Sequence, residues 1–190
     1  MRVSKEQAAE NRRRIVEVAG ALFREKGFNG IGVADLMKEA GLTHGGFYGH
    51  FASKDDLAAE ACTGTLATAA ERWERLAREK PEEALATIAG NYLSAKHRDK
   101  PATGCPIAAL GVDAARQDGP VRRAFTEGLR PFIDTLTNLL PGRSKAARRE
   151  KALATLSGLV GAVILARAVD DPALSDEILA AAKANVGAGS

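Results

Sequence analysis

The segment 41–57 concentrates side chains that donate hydrogen bonds to oxygen atoms. The donors of this glycine-rich segment are Thr43, His44, Tyr48, His50 and Lys54. Hydroxyl, imidazole and ammonium groups bind the phosphate oxygens of nucleic acids, and a hydroxyl or an imidazole also reaches base edges. The segment has neither the composition of a hydrophobic core element nor that of a catalytic loop. It therefore predicts a surface that binds a polyanion.

Two short helices joined by a tight turn are predicted to position these donors. The first follows Gly32 and ends at Gly41, and the second covers about residues 44–51. Glycine permits a sharp chain reversal, so this pattern fits a helix-turn-helix, whose second helix enters the major groove of DNA. Thr43 is predicted to cap that second helix. Glycine-bounded short helices also occur as plain connectors, which is the alternative.

Aromatic and basic residues flank the donors. Phe47 and Phe51 are predicted to be buried and to anchor the second short helix to the first helix of the chain. The run Arg12-Arg13-Arg14 is predicted to follow DNA phosphates at the edge of the site, and Arg13 is included among the DNA-binding residues. Such contacts make affinity fall steeply as salt rises.

The remaining sequence predicts an all-α chain, because alanine is abundant and strand patterns are scarce. The first helix follows Ser4, with Gln7 completing a capping box, and the fourth opens at Ser53 and runs to about residue 78. Later helices are predicted over about 81–97, 106–117, 121–140, 144–169 and 173–186. A kink or break is predicted at Pro131, within the third of these. We divide the chain into a helix-turn-helix domain, 1–52, and a helical effector-binding and dimerisation domain, 53–190.

Composition sets broad limits on the class of protein. The 190 residues are 45% hydrophobic and 27% charged with a net charge of +3, which is too small to indicate nucleic acid by itself. Two cysteines give no disulfide framework, and the polar N-terminus does not resemble a signal peptide, so we expect a cytoplasmic protein. The apolar stretch Leu153–Val169 contains Arg167 and is predicted to be a buried helix and not a membrane span.

The first 57 residues resemble the TetR family of bacterial transcriptional regulators. The most specific part is Phe47-Tyr48-x-His50-Phe51-x-Ser53-Lys54-x-x-Leu57, and the match also includes Arg14-Ile15, Ala19, Leu22-Phe23, Gly27-Phe28, Val33, Leu36 and Ala40-Gly41. The resemblance implies a homodimer that places two recognition helices about one DNA turn apart on a palindromic operator in double-stranded DNA. It implies DNA contacts by the five donors of segment 41–57, and we include Val33 and Gly45 in the predicted DNA-binding set.

Two departures from the family pattern affect the predicted DNA contacts. Gly32 stands where the family usually has Ser or Thr, so it offers no hydroxyl to a phosphate. Gly45, Gly46 and Gly49 lower the stability of the second short helix by up to about 1 kcal/mol each relative to alanine. Base recognition is therefore expected to depend chiefly on Thr43 and His44.

The resemblance also implies a pocket for a small-molecule effector between the helices that follow Glu60. The candidate lining residues are Trp73, Tyr92, His97, Cys105, Ile107, Leu110, Phe125, Phe132 and Leu159. Apolar residues at helical spacing usually belong to a core, which is the alternative for each of them. Only 5% of residues are aromatic, and this favours a small or aliphatic ligand.

Cys105 is a candidate sensor of electrophiles or oxidants. It lies at the predicted start of a helix, where the helix dipole and free amides favour a thiolate. Reaction of that thiolate would shift the helices it joins. The alternative is a small buried hydrophobic residue, as most free cysteines are.

Small and aliphatic residues near the C-terminus predict a dimer interface. They are Leu156, Gly158, Leu159, Gly161, Ala162, Val163, Leu165 and Ile178. Small residues let two helices approach closely, and the aliphatic residues supply buried area. Packing within one chain is the competing interpretation.

Together these features predict a repressor that leaves its operator when an effector binds, or when Cys105 is modified, and repositions the fourth helix. We expect no cofactor, no metal site, no membrane and no catalysis, since His44, His50 and His97 form neither a metalloprotease motif nor a nucleophile–base pair with a cysteine. A helical interaction module without DNA binding and a small helical enzyme are the alternatives.

Overall fold

A computed structural model describes residues 4–188 of the chain, and these residues contain helices and loops but no β-strand. The α-helices are α1 Lys5–Lys26, α2 Val33–Glu39, α3 Lys54–Glu79, α4 Pro81–Tyr92, α5 Ala95–Asp99, α6 Pro106–Ala115, α7 Gly119–Leu139, α8 Lys145–Ala168 and α9 Pro172–Ala188. Two 3-10 helices span His44–Gly49, called the recognition helix below, and Pro101–Thr103. The prediction of an all-α chain is confirmed.

Serine side chains begin several of these helices. The hydroxyl of Ser4 accepts a hydrogen bond from the Gln7 amide at 3.1 Å, and that of Ser53 accepts one from the Asp56 amide at 3.0 Å. The predicted capping box of α1 is only half formed, because the Gln7 side chain donates to Asn11 instead of returning to Ser4. Each serine therefore satisfies one free amide in the first turn of its helix, as expected for serine at the N-cap.

The turn after α2 depends on Gly41. Its φ of 67° lies in the left-handed region, where glycine is favoured. The Leu42 amide donates to the Met37 carbonyl at 2.8 Å, and the Gly41 amide donates to the Lys38 carbonyl at 2.9 Å. These two bonds form a Schellman motif that satisfies the last carbonyls of α2. The predicted tight turn is confirmed.

Three predicted elements differ from the structure. The second short helix is a 3-10 helix, because a six-residue segment with three glycines gains too little from α-helical bonds. The helix predicted over 81–97 ends at Tyr92, and α5 starts anew after Ser94, whose hydroxyl accepts from the His97 amide at 3.2 Å. Helix α7 does not break at Pro131, because the adjacent Phe132 and nearby Leu136 are fully buried and hold it in place.

Helix α3 is the central element of the fold. It begins beside the recognition helix, packs against α1 and α4, and makes its most extensive contact with α7. At the crossing of α3 and α7, a methyl group on Gly128 would come within 2.5 Å of Leu66 Cδ1 and 2.8 Å of Leu66 Cβ. The two helices thus approach closely because residue 128 has no side chain. The predicted boundary at residues 52–53 falls just before this helix.

Helix α8 is long and apolar enough, by length and composition alone, to cross a membrane, but only one face of it is buried in the chain. It packs against α7 and α9, and Leu156, Leu159 and Val163 are buried, while Leu165 is 57% exposed. The expectation of a buried helix therefore holds for one face only.

Candidate nucleic-acid interface and cavity

The recognition helix is held from behind by aromatic side chains. Phe47 and Phe51 are 1% and 4% exposed, and their ring centroids lie 5.6 Å apart. The guanidinium of Arg12 lies 4.2 Å from the centre of the Phe51 ring, and it donates to the His50 carbonyl and to the Glu60 carboxylate. These contacts attach the recognition helix to both α1 and α3. The predicted burial of both phenylalanines is confirmed.

The opposite side of the recognition helix faces outwards. His44, Gly45 and Tyr48 are exposed, and the Tyr48 side chain is 68% exposed. The His44 and Tyr48 rings meet edge to face with centroids 6.5 Å apart. His50 and Lys54 are half-buried where the recognition helix joins α3. The structure therefore brings the predicted donors together along the recognition helix and at the start of α3.

Thr43 does not cap the recognition helix through its side chain, so that prediction is wrong. In the 3-10 geometry the Thr43 carbonyl accepts from the Gly46 amide at 3.0 Å, and its hydroxyl makes no bond within residues 4–188. The exposed hydroxyl is consequently open to a partner outside the chain.

The three consecutive arginines have different surroundings. Successive residues of an α-helix point about 100° apart, so the run 12–14 cannot face one surface. Arg12 is bound internally, as described above, and exposed Arg13 pairs with Glu10 at 2.8 Å and Glu17 at 4.0 Å. Val33, in the predicted DNA-binding set, is half-buried at the start of α2 and packs against the core.

A cavity of about 320 Å³ lies in the helical part of the chain, between α3, α4, α5, α7 and the loop that precedes α6. Five of the predicted pocket residues line it, namely Trp73, Tyr92, His97, Cys105 and Phe132. Ile107, Leu110, Phe125 and Leu159 do not line it and are buried in the core. Apolar spacing in the sequence does not indicate the polar residues of the lining, which are Arg72, Asn91, Ser94, Lys96, Lys100 and Thr103.

His97 joins two walls of this cavity through its two ring nitrogens. Nε2 accepts a hydrogen bond from the Cys105 amide at 2.9 Å, so the proton of the neutral ring is on Nδ1. Nδ1 lies 2.6 Å from the Tyr92 carbonyl oxygen and donates to it. Burial lowers the pKa of His97, and the nearby Arg167 charge lowers it further. His97 is therefore a neutral bridge between the end of α4 and the start of α6.

Cys105 stands at the start of α6 as predicted, but the thiolate is not favoured there. Burial raises the pKa of the Cys105 thiol, and this outweighs the hydrogen bonds with the Tyr92 side chain and the Ile107 and Ala108 amides, which lower it. Burial also raises the pKa of Cys62 to about 12. Both cysteines are thus protonated thiols near neutral pH.

Hydrogen bonds connect α1 to the segment that leads from the cavity into α6. The Arg24 side chain donates to the Ala102 carbonyl, with Nε at 2.8 Å, in the 3-10 helix that precedes Cys105. The Phe28 amide, just after α1, donates to the Asp113 carboxylate of α6 at 3.3 Å. Helix α1, which braces the recognition helix, therefore also contacts the loop beside the cavity and the helix α6 that follows it.

The predicted interface residues divide into two groups. Leu156, Leu159, Ala162 and Val163 are buried within the chain. Gly158 and Leu165 are exposed, Gly161 and Ile178 are half-buried, and a methyl group added to either glycine would meet no atom within 4 Å. The two glycines thus leave open space beside α8.

An exposed short helix, fixed from behind by aromatic residues and preceded by a glycine turn, defines a helix-turn-helix protein of the all-α class. Residues 15–61 match the model of the bacterial regulatory proteins, tetR family. The N-terminal part of the chain is thus similar to this family. It is 39% identical over 59 residues to the HTH-type transcriptional regulator AcrR of Shigella flexneri, which covers 31% of this chain and 27% of that protein. The chain spans about a quarter of the length of the curated relatives it matches.

Solved structures extend the similarity of fold beyond the matched N-terminal part. The reduced form of NemR from E. coli superposes with a TM-score of 0.79 at 21% identity, covering 93% of this chain and 95% of that one. FadR from Bacillus subtilis in complex with stearoyl-CoA gives a TM-score of 0.63 at 19% identity, covering 90% and 96%. At these identities the comparison shows a shared fold.

Proposed function

We propose that this chain is a DNA-binding transcriptional repressor that leaves a palindromic operator in the cytoplasm when a small molecule enters the cavity. The observation that carries the proposal is the recognition helix, in which Phe47 is buried while His44 and Tyr48 are exposed, and which Phe51, buried just after its end, also anchors. A helix presented in this way enters the major groove, with its first residues at the base edges.

Within that arrangement the donors have different roles. Thr43 and His44, at the start of the recognition helix, contact base edges. Tyr48, His50 and Lys54 bind phosphate oxygens and fix the register of the protein on the duplex. The exposed glycines at 45 and 49 add no side chain, so sequence preference depends on few contacts.

Substitutions at the two kinds of contact are expected to have different effects on DNA binding. Replacing Lys54 by alanine should weaken binding to all duplexes and lower the salt-dependence slope by about 1, because one phosphate contact is lost. Replacing His44 by alanine should relax the preference at one base pair by about 1–3 kcal/mol. Fluorescence anisotropy with a duplex selected from a random library measures both effects.

The control is Lys145→Ala, which removes an exposed lysine at the start of α8 and should change neither quantity. If His44→Ala had the same base preference as the wild type, His44 would not contribute to base recognition. Failure of the wild-type protein to bind any duplex at low salt would instead favour a helical interaction module.

We propose a homodimer formed through α8 and α9. Gly158, Gly161 and Leu165 recur at helical spacing along one strip of α8, and the open space beside both glycines suits the close approach of a second helix. A two-fold dimer matches the symmetry of a palindromic site.

The dimer is tested by sedimentation. Wild-type protein should sediment at about 40 kDa, twice the 20.0 kDa of one chain, and Leu165→Glu should shift it towards the monomer. Val112→Glu, which charges an aliphatic side chain that is also more than half exposed, is the matched control and should leave the dimer intact. Loss of the dimer in both variants would argue against this interface.

Of the two predicted routes of release, reversible ligand binding is better supported than thiol modification. The Cys105 thiol is buried and its pKa is raised, so little thiolate is present to react. The cavity, in contrast, is a preformed space of a size that suits a small molecule. FadR of Bacillus subtilis, which has the same fold, was crystallised in complex with stearoyl-CoA, and this supports a small-molecule ligand for the fold. We propose no catalysis, because both ring nitrogens of His97 are occupied and cannot activate the thiol.

The ligand signal reaches the DNA-binding part by two connections. Helix α3 runs from Lys54 beside the recognition helix to Trp73 in the cavity wall. Arg24 of α1 is bonded to the loop that precedes Cys105. A ligand that binds more tightly to one position of this loop therefore also favours one position of α1. Such a difference in affinity between two conformations is what a ligand needs to shift their equilibrium.

Removing the Arg24 bond is expected to uncouple the cavity from DNA. Because coupling is reciprocal, operator binding should change the fluorescence of Trp73, the single tryptophan of the chain. In Arg24→Ala this change in fluorescence should fall by at least about half. Its operator affinity should differ from that of the wild type by no more than the 5–150-fold factor that is typical of allosteric coupling. Arg122→Ala, an exposed arginine on α7, should respond as the wild type does; a full response in Arg24→Ala would exclude this connection.

A further inference from the structure

We propose that the cavity binds an amphipathic organic anion, with an apolar body against Trp73 and Phe132 and a carboxylate or phosphate group at Arg72, Lys96 and Lys100. This inference rests on the proposed regulatory function for its biological role, but the binding itself is a separate property of the cavity.

The charge of the lining is the first argument. Arg72, Lys96 and Lys100 are exposed residues of the lining, and none of their side chains forms an ion pair or a hydrogen bond within residues 4–188. In that part of the chain no Asp or Glu lines the cavity. The acidic Asp99 is occupied by Arg98, whose side chain also pairs with Asp176. Three unpaired cations at the mouth of one cavity attract an anion and form strong charge-assisted hydrogen bonds with it.

The apolar wall is the second argument. Trp73 is 8% exposed and meets the edge of Phe132, with ring centroids 4.9 Å apart, and Leu76 and Ile88 extend this wall. A volume of about 320 Å³ lies at the small end of ligand pockets, so it suits a short chain or a single ring. The combination of this wall with a cationic mouth fits a molecule that is apolar at one end and anionic at the other.

The third argument is a buried hydroxyl group of the lining whose one neighbouring partner, the Cys105 thiol, is weak. The Tyr92 side chain is 5% exposed, and its hydroxyl forms no hydrogen bond of normal geometry in the described part of the chain. The neighbouring Cys105 thiol is only a weak partner. Burial and Cys105 raise the pKa of Tyr92, so the group is a phenol that can donate. Buried polar groups are nearly always satisfied, and a ligand with a carbonyl or hydroxyl oxygen in its apolar part would satisfy this one.

The test uses the fluorescence of Trp73 in the full chain without DNA, so that its outcome does not depend on operator binding. The probes share a chain of eight carbons and differ in the head group: octanoate, octyl phosphate, 1-octanol and octylammonium. We also use the six- and ten-carbon carboxylates to cover the length of the cavity. At least one of the anions should bind at least about tenfold more tightly than the neutral and cationic probes. The ratio of octanoate to octyl phosphate affinity tells which anionic group the mouth prefers.

Variants assign the binding to its residues. Replacing Arg72, Lys96 and Lys100 together by alanine should abolish the preference for anions. The matched variant replaces Arg75, Arg122 and Arg143, which are exposed and lie outside the cavity, and it should keep the preference at the same net charge. A ketone near the apolar end, as in 7-oxooctanoate, should bind more tightly than octanoate, and Tyr92→Phe should remove that gain.

Three results would overturn the proposal: equal affinity for all head groups, tighter binding of octylammonium, or no fluorescence change with any probe. Failure of operator binding alone would leave the anion site standing and would instead remove the proposed regulatory function.

Discussion

Phe47→Ala is expected to lower the free energy of unfolding by about 3–5 kcal/mol and to abolish operator binding. Phe47 is 1% exposed and packs against Phe51, so its removal leaves a cavity behind the recognition helix. A six-residue 3-10 helix with three glycines has little stability of its own and depends on this anchor. Urea unfolding followed by circular dichroism measures the first effect, and fluorescence anisotropy measures the second.

The neighbouring Tyr48 provides the matched control. Its side chain is 68% exposed, so Tyr48→Ala should change the free energy of unfolding by no more than about 0.5 kcal/mol. It should nevertheless weaken DNA binding, because a phosphate donor is lost. If Tyr48→Ala destabilised the protein as much as Phe47→Ala, the assignment of one side of this helix to the core and the other to DNA would be wrong.

His97→Ala is expected to lower the free energy of unfolding by about 2–5 kcal/mol, since it leaves two polar groups without partners. These groups are the Cys105 amide and the Tyr92 carbonyl, which the neutral ring satisfies at 2.9 Å and 2.6 Å. The substitution also removes the edge contact with the Tyr92 ring, at a centroid distance of 4.5 Å. Urea unfolding at pH 8 measures the loss.

The same residue makes stability depend on pH. The pKa of His97 is lower in the folded chain than its ordinary value of 6.5, so the unfolded chain binds the proton more readily. The stability that neutral His97 contributes is therefore fully present above pH 6.5 and is lost as pH falls through the folded pKa. In His97→Gln, which retains a donor and an acceptor but does not titrate, the loss below pH 6.5 should be smaller. Equal losses in both proteins would show that other groups cause the acid sensitivity.

Local signals in the sequence were sufficient for most of the helix-turn-helix. The turn at Gly41 and the serine caps of α1 and α3 each depend on residues close in sequence, and the apolar pair Phe47 and Phe51 was recognisable as a core pair from its spacing. The 3-10 form of the recognition helix differs from the prediction, although its glycines already indicated a weak α-helix.

Contacts between distant residues were not predictable in the same way. The bonds of Arg12 to Glu60 and of Arg24 to Ala102 join residues that lie far apart in the chain. For Cys105, local reasoning correctly identified the helix start and its amides, but the pKa is determined by burial, which depends on how α6 packs. The unpaired cations of the cavity were also missed, since a basic residue on a helix surface has no local pattern that distinguishes it from a solvated one.

The close approach of α3 and α7 at Gly128 has a mechanical consequence. Leu66, the contact point on α3, lies between the cavity and the recognition helix. With a rise of about 1.5 Å per residue, the arm from Leu66 to Trp73 is about 10 Å long and the arm from Leu66 to Lys54 is about 18 Å long. If α3 tilts about this contact as a rigid rod, its Lys54 end moves about 1.7 times as far as its Trp73 end, and in the opposite direction. The crossing at Gly128 would thus be the pivot of this rotation, and the longer part of α3 ends at the DNA-binding surface.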